Sequence, residues 1–130
     1  MLFRSQPAAP ASVVQQGVYG SARLHYFFPA ACPDNNGNMI MMFSRCGAGE
    51  FGSILYTGRR STDPLGTLQA STLLKAGLAH YVGLDGGGRN RWGDYNGIAA
   101  DPANPRLIWL CSEYAGAANT WATWAGSAFF

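Results

Sequence analysis

The sequence predicts an all-β protein: about two antiparallel four-stranded units of the kind that form β-propeller blades, with a β-sandwich as the alternative. Three observations predict it. The residue balance suits strands and turns: 17 glycines and 13% aromatics stand against one lysine, Lys75, and 12% charged residues, about half the usual share. Short apolar runs are closed by turn sequences. The second half of the chain also repeats the first at a spacing of about 67 residues.

The elements follow in order. "HYFFPAACPD" (25–34) is an apolar run closed by Pro-Asp. "NNGN" (35–38) is a tight turn, because Asn-Gly supplies positive φ. "MIMMFSRC" (39–46) is the next strand and begins apolar on both faces. After the loop "GAGE" (47–50), "FGSILYTGR" (51–59) alternates, with Phe51, Ser53, Leu55 and Thr57 opposite Ile54 and Tyr56. "STDPLGT" (61–67) is a turn and "LQASTLLKAG" (68–77) an outer strand. The helix-compatible stretch "GTLQASTLLKAG" is short and uncapped.

A Gly-rich connection, "GLDGGGRNR" (83–91), leads into the second unit. It comprises "WGDYNGIAAD" (92–101), the turn "PANP" (102–105), "RLIWLCSEY" (106–114), the loop "AGAAN" (115–119) and "TWATWAGSAFF" (120–130). Aligning Asp34 with Asp101 lays "AACPDNNGNMIMMFS" over "GIAADPANPRLIWLC", with an aromatic, Phe43 or Trp109, in each following strand's slot. The first blade spans about 20–77 and the second 83–130, within a propeller region of 14–130. The second blade ends at its third strand, so 11–19, which contains the strand-like "ASVVQQGVY", is expected either to close that sheet or to belong to a preceding blade. Residues 1–13 read as a linker or frayed end.

Composition narrows the function. A net charge of +2 without a basic stripe argues against nucleic-acid binding. No apolar span reaches the length of a membrane helix, and the N-terminus lacks the apolar region of a signal peptide. Cys32, Cys46 and Cys111 match no zinc spacing and are expected as buried free thiols. His25 and His80 lack partners at metal spacing, and no nucleophile elbow is present. "DGGGRN" (85–90) is neither a P-loop nor a calcium loop and reads as a flexible connection. No metal or cofactor is expected.

The strings "YTGRRSTDPLGTL", "RWGDYNGIAADP" and "WATWAGSAFF" resemble the C-terminal part of a family of uncharacterised bacterial extracellular proteins with sialidase-like (Asp-box, or BNR-type) β-propellers. The resemblance runs from about Val14 to Phe130. It implies a propeller fold and an exported, extracellular or cell-surface parent protein of which this chain is a fragment. It implies no defined activity. "CPDNNGNMI" keeps Asp34 and a Gly of the Asp box but lacks its Ser/Thr and Trp, and "AADPANPRLIW" lacks the Gly. The arginine triad, Tyr-Glu pair and acid-base Asp of true sialidases come from many blades, which two blades cannot supply.

On a propeller, the segments leading into the innermost strands share one face with the loops between second and third strands, and ligands bind at such a mouth. That places Arg91, Trp92, Asp94 and Tyr95 of the second blade with His25, Tyr26 and Phe27 of the first, and Glu50 and Glu113 beside them. Aromatic faces stack on sugar or peptide, and an Arg fork grips carboxylates. The competing reading makes Trp92 a wedge between blades and Arg91–Asp94 a local ion pair. Asp34, Asp63 and Asp101 precede turns and are expected to cap their own backbones. "YTGRR" is expected to carry solvated arginines. Three functions follow: a non-catalytic module contributing a glycan- or protein-binding face; part of a sialidase-like glycoside hydrolase whose site lies in other blades; or a purely structural closing segment. The partners would be the remaining blades of a parent propeller, or further copies of the chain.

Overall fold

The computed structural model describes residues 13–130, so the expected linker lies, but for Val13, outside the described residues. The described chain is all-β. The first sheet joins β1 (Leu24–Pro33), β2 (Met39–Gly47), β3 (Glu50–Arg59) and β4 (Thr72–Lys75) in sequential antiparallel order. The second joins β5 (Gly97–Ala100), β6 (Ile108–Ala117) and β7 (Thr120–Ala128) in the same way. No described helix is long and apolar enough to cross a membrane. The helix-compatible stretch forms β4, paired to β3 through Leu55↔Leu73.

Local chemistry sets the turns. Asp34 Oδ1 accepts from the Asn36 and Asn38 amides at 2.8 and 2.9 Å, and Gly37 takes φ 77°. Asp101 Oδ1 accepts from the Ala103 and Asn104 amides, each at 2.8 Å. Asp63 caps the Arg60 amide at 2.8 Å. All three aspartates therefore hold turns, as the sequence suggests. Phe43 and Trp109, however, are not equivalent. An offset of 67 residues puts Trp109 over Met42 and Leu110 over Phe43, and in a strand a one-residue shift reverses the face.

The sheets stack face to face. Ile40, Met42 and Ile54 of the first sheet pack against Ile108, Leu110 and Ala128 of the second. Each large side chain buried this way contributes about 1.5–3 kcal/mol. Glycines let the layers approach: a Cβ on Gly126 would lie 2.7 Å from Leu74 Cδ1, and one on Gly58 would strike the Phe130 ring. Lys75 of β4 reaches across to lie 4.2 Å from the Trp124 ring centroid and 4.9 Å from that of Tyr114.

The other face of the first sheet is also apolar and buried, through Met39, Met41, Phe43 and Leu55. The N-terminal segment covers it. Tyr19 packs on Phe43 and Tyr26, with ring centroids 5.8 and 5.9 Å away. Gln15 Oε1 accepts from the Gly66 amide at 3.0 Å. Residues 14–19 thus lie on the first sheet and do not close the second, because Met39, Met41 and Phe43 present them an apolar surface; residues 11 and 12 lie outside the described residues. Of the two arginines in "YTGRR", Arg60 is exposed as expected and Arg59 is not. Arg59 is 3% exposed, and its Nη2 donates to the Asp63 carbonyl at 2.7 Å. The cysteines form no disulfide; Cys32 and Cys46 are half-buried, and Cys111 is exposed rather than buried.

Candidate functional site

One end of the stacked sheets opens into a cleft of about 450 Å³. The β2–β3 hairpin, the first half of β1 and the connection from β4 to β5 meet there. Antiparallel pairing explains the meeting: Leu24, at the start of β1, sits opposite Gly47, at the end of β2.

A bulge shapes one wall. The β1–β2 register slips between Phe27 and Ala30, and Phe28 takes φ 51°. A left-handed phenylalanine before proline is unfavourable, by about 1–3 kcal/mol, and such strain and bulges concentrate at functional sites. Asn96 holds the bulge: its Nδ2 donates to the Phe28 carbonyl, while its Oδ1 accepts from Ser112 Oγ on β6. Phe27 and Phe28 both line the cleft.

Trp92 forms the second wall. Its ring packs over Gly52, where a Cβ would lie 2.6 Å from Cη2, and its Nε1 donates to the fully buried Ser44 Oγ at 3.4 Å. Tyr81 meets it edge-to-face at 5.1 Å and Phe27 at 6.2 Å between centroids. Trp92 is therefore packed onto the first sheet and at the same time forms a cleft wall. Glu113 fixes its loop by accepting from the Gly93 amide.

The connection carrying Tyr81 and Arg91 is tied down at both ends. The Val82 amide donates to Asn119 Oδ1 at 2.9 Å, and the Arg91 amide to the Gly83 carbonyl at 2.7 Å. "DGGGRN" is no loose connection: Asp85 Oδ1 accepts from the Gly87 and Arg89 amides at 2.9 and 3.0 Å, and Leu84 bridges Asn90.

The charged groups at the mouth are paired. Arg91 Nη2 lies 3.3 Å from Asp94 Oδ2 and its Nη1 3.8 Å from Asp85 Oδ2. Arg45 Nε binds Glu50 at 3.0 Å. Hydrogen bonds from the backbone of Arg89 and Gly87 and from the Arg89 side chain, with the Arg91 charge nearby, hold the Asp85 carboxyl below its ordinary range. Burial, with the Glu50 carboxylate adding to it, pushes the Cys46 thiol up, so this cleft-lining cysteine is no ready thiolate nucleophile. Among the described residues no three His, Cys, Asp or Glu side chains are grouped to hold a metal.

Of the residues selected from sequence, the cleft gathers Phe27, Glu50, Arg91, Trp92 and Asp94. It does not gather the others. Tyr95 is 92% exposed; the chain bends at Asp94 beside it and carries its ring away from the cleft lining. His25 is exposed; it pairs with Cys46 nearer the start of β1, while the cleft centres on the bulge. Glu113 braces the loop from behind. Sequence reasoning missed Phe28, His80, Tyr81 and Asn90. The "FFP" string hints at a bulge; Tyr81 and His80 sit in an aperiodic connection that gives no signal. A scan of protein-family models, a search of curated proteins and a search of solved structures each find no match.

Proposed function

We propose that this chain supplies two consecutive blades of an exported, sialidase-like β-propeller and contributes a non-catalytic glycan- or protein-binding face at the cleft. The blade reading is supported by apolar surface on both sides of each sheet. A two-layer sandwich keeps its outward faces polar. Here the first sheet is apolar on its outward face, and the second exposes Trp109, Trp121 and Phe129. Sheets of this kind belong in a stack of more than two layers, as blades do. The matching Asp34 and Asp101 turns add a tandem repeat. Export rests on the resemblance of the motif strings.

Binding is carried by one observation: a strained, bulged Phe28 is held at a cleft with Trp92 and Tyr81 on its other side. Stabilising such a backbone without a ligand to meet would be wasteful. Both carboxylates lining the cleft, Glu50 and Asp94, are ion-paired, which favours binding over acid–base chemistry. A glycan array probed with the parent chain, Trp92→Ala and Arg91→Ala tests this. The reading expects hits that Trp92→Ala removes. An array without hits, or hits that both variants retain, would refute it.

A further inference from the structure

We infer that the cleft selects uncharged saccharides and rejects acidic ones. The inference rests on the glycan-binding reading of the same cleft and sharpens it to a substrate class. The decisive feature is the state of Arg91, which the sequence offered as a fork for a ligand carboxylate. Among the described residues it is the only lysine or arginine lining the cleft, and both of its terminal nitrogens already face carboxylates, Asp94 at 3.3 Å and Asp85 at 3.8 Å. The next cation, Arg45, is spent on Glu50 and on Ser71 Oγ at 3.2 Å. Arg89 is paired too, with its Nη2 2.9 Å from the same Asp85 Oδ2 that Arg91 faces.

The charges around the opening are therefore balanced and already paired: Glu50, Asp85 and Asp94 stand against Arg45, Arg89 and Arg91. A sugar carboxylate would have to displace Asp94 from Arg91 and then sit beside it, a like-charge contact that works as rejection. Saccharide hydroxyls meet no such barrier. Ionised carboxylates only accept hydrogen bonds, so Asp94 and Glu50 suit O–H donors, and Asn90 can donate or accept. Trp92 and Tyr81 supply apolar surface for the C–H face of a pyranose ring. Arg91, in contact with both aspartates, also disfavours an ammonium ligand.

The test is calorimetric titration of the chain with lactose, cellobiose and chitobiose against 3′-sialyllactose and digalacturonate. At least one neutral sugar is expected to bind, with the acidic sugars about tenfold weaker or undetectable. Trp92→Ala should weaken the neutral sugar about tenfold. Tyr81→Ala serves the same purpose if the first variant fails to fold by circular dichroism. The Asp85→Asn/Asp94→Asn double variant frees Arg91 and should gain affinity for the acidic sugars. Acidic sugars binding more tightly than neutral ones, through Trp92 or Tyr81, would overturn the class and leave the cleft reading standing. No binding by any sugar, or binding indifferent to both aromatic variants, would overturn the cleft reading and the inference with it.

Discussion

Gly52→Ala puts the seat of Trp92 under direct test. The new Cβ would lie 2.6 Å from Cη2 and 3.2 Å from both Cζ2 and Cζ3 of the indole. Carbon atoms pack comfortably at about 3.5–4.0 Å, so the ring must retreat by about 1 Å. It has little room: Tyr81 and Phe27 meet it edge-to-face, and Nε1 is tied to Ser44. Overpacking of this kind costs about 1–3 kcal/mol. At about 3–5 °C per kcal/mol for a domain of this size, a cost of about 2 kcal/mol lowers Tm by roughly 6–10 °C. Gly49→Ala, in the same hairpin, is the control, since a Cβ there meets nothing within 4 Å. Circular-dichroism melts of the two variants, followed in parallel by tryptophan emission, read both effects. A Gly52→Ala chain that melts with the control and keeps its emission would show that Trp92 does not rest on β3.

Four further outcomes are expected. Glu113→Ala strips the Gly93 amide of its acceptor and should cost about 1 kcal/mol, seen in thermal melts, whereas Glu113→Gln keeps an oxygen there and most of the stability. Lys75→Met removes the cation held 4.2 Å from the Trp124 ring and should lose about 1 kcal/mol in melts, with altered indole emission. Stability should fall in acid. Asp101 is held below its ordinary value of 3.8 chiefly by the Trp109 indole, and Asp85 and Asp63 by backbone amides of Arg89 and Arg60. Carboxyls depressed in the folded state stabilise it fully above that value and lose the effect as pH drops through their folded values, so Tm should hold near pH 5 and fall below about pH 4, less steeply in Asp101→Asn. Light scattering should find self-association of the unsubstituted 130-residue chain through the exposed Trp109, Trp121 and Phe129 face, reduced by Trp121→Glu; a monomeric chain would count against the blade reading.

The strands were legible because their limits are local chemistry. Pro33-Asp34 ends β1, Asn36-Gly37 turns the chain, and Asp101-Pro102 ends β5, each through hydrogen bonds made within a few residues. Both-sided apolarity in "MIMMF" likewise foretold a strand buried on both faces. What escaped was non-local. The bulge at Phe28 depends on Asn96, 68 residues away, and the docking of residues 14–19 depends on Gly66 and Phe43. Arg59 looked like a solvated strand end because nothing nearby in sequence shows that it is buried on the first sheet. The site was half legible for the same reason. Arg91, Trp92 and Asp94 announce themselves as a cluster, whereas Tyr81 is brought to them only by backbone ties to Asn119 and Asn90.

Packing and binding are not rival explanations of "RWGDY". The segment joins the two sheets, with Trp92 packed on Gly52 and Ser44 of the first and Gly93 held by Glu113 of the second, and the indole at their open end leaves a wall beside it. The Arg91–Asp94 pair is exposed and contributes little to stability by itself. Its consequence is electrostatic: it satisfies the one guanidinium that lines the cleft among the described residues and leaves acceptors at the mouth. A single short segment thereby seats one sheet on the other and sets the charge that a ligand meets. Substitutions at Trp92 should move stability and binding together, whereas those at Asp94 should move binding alone. That divergence separates a cleft evolved for a ligand from one left over by packing.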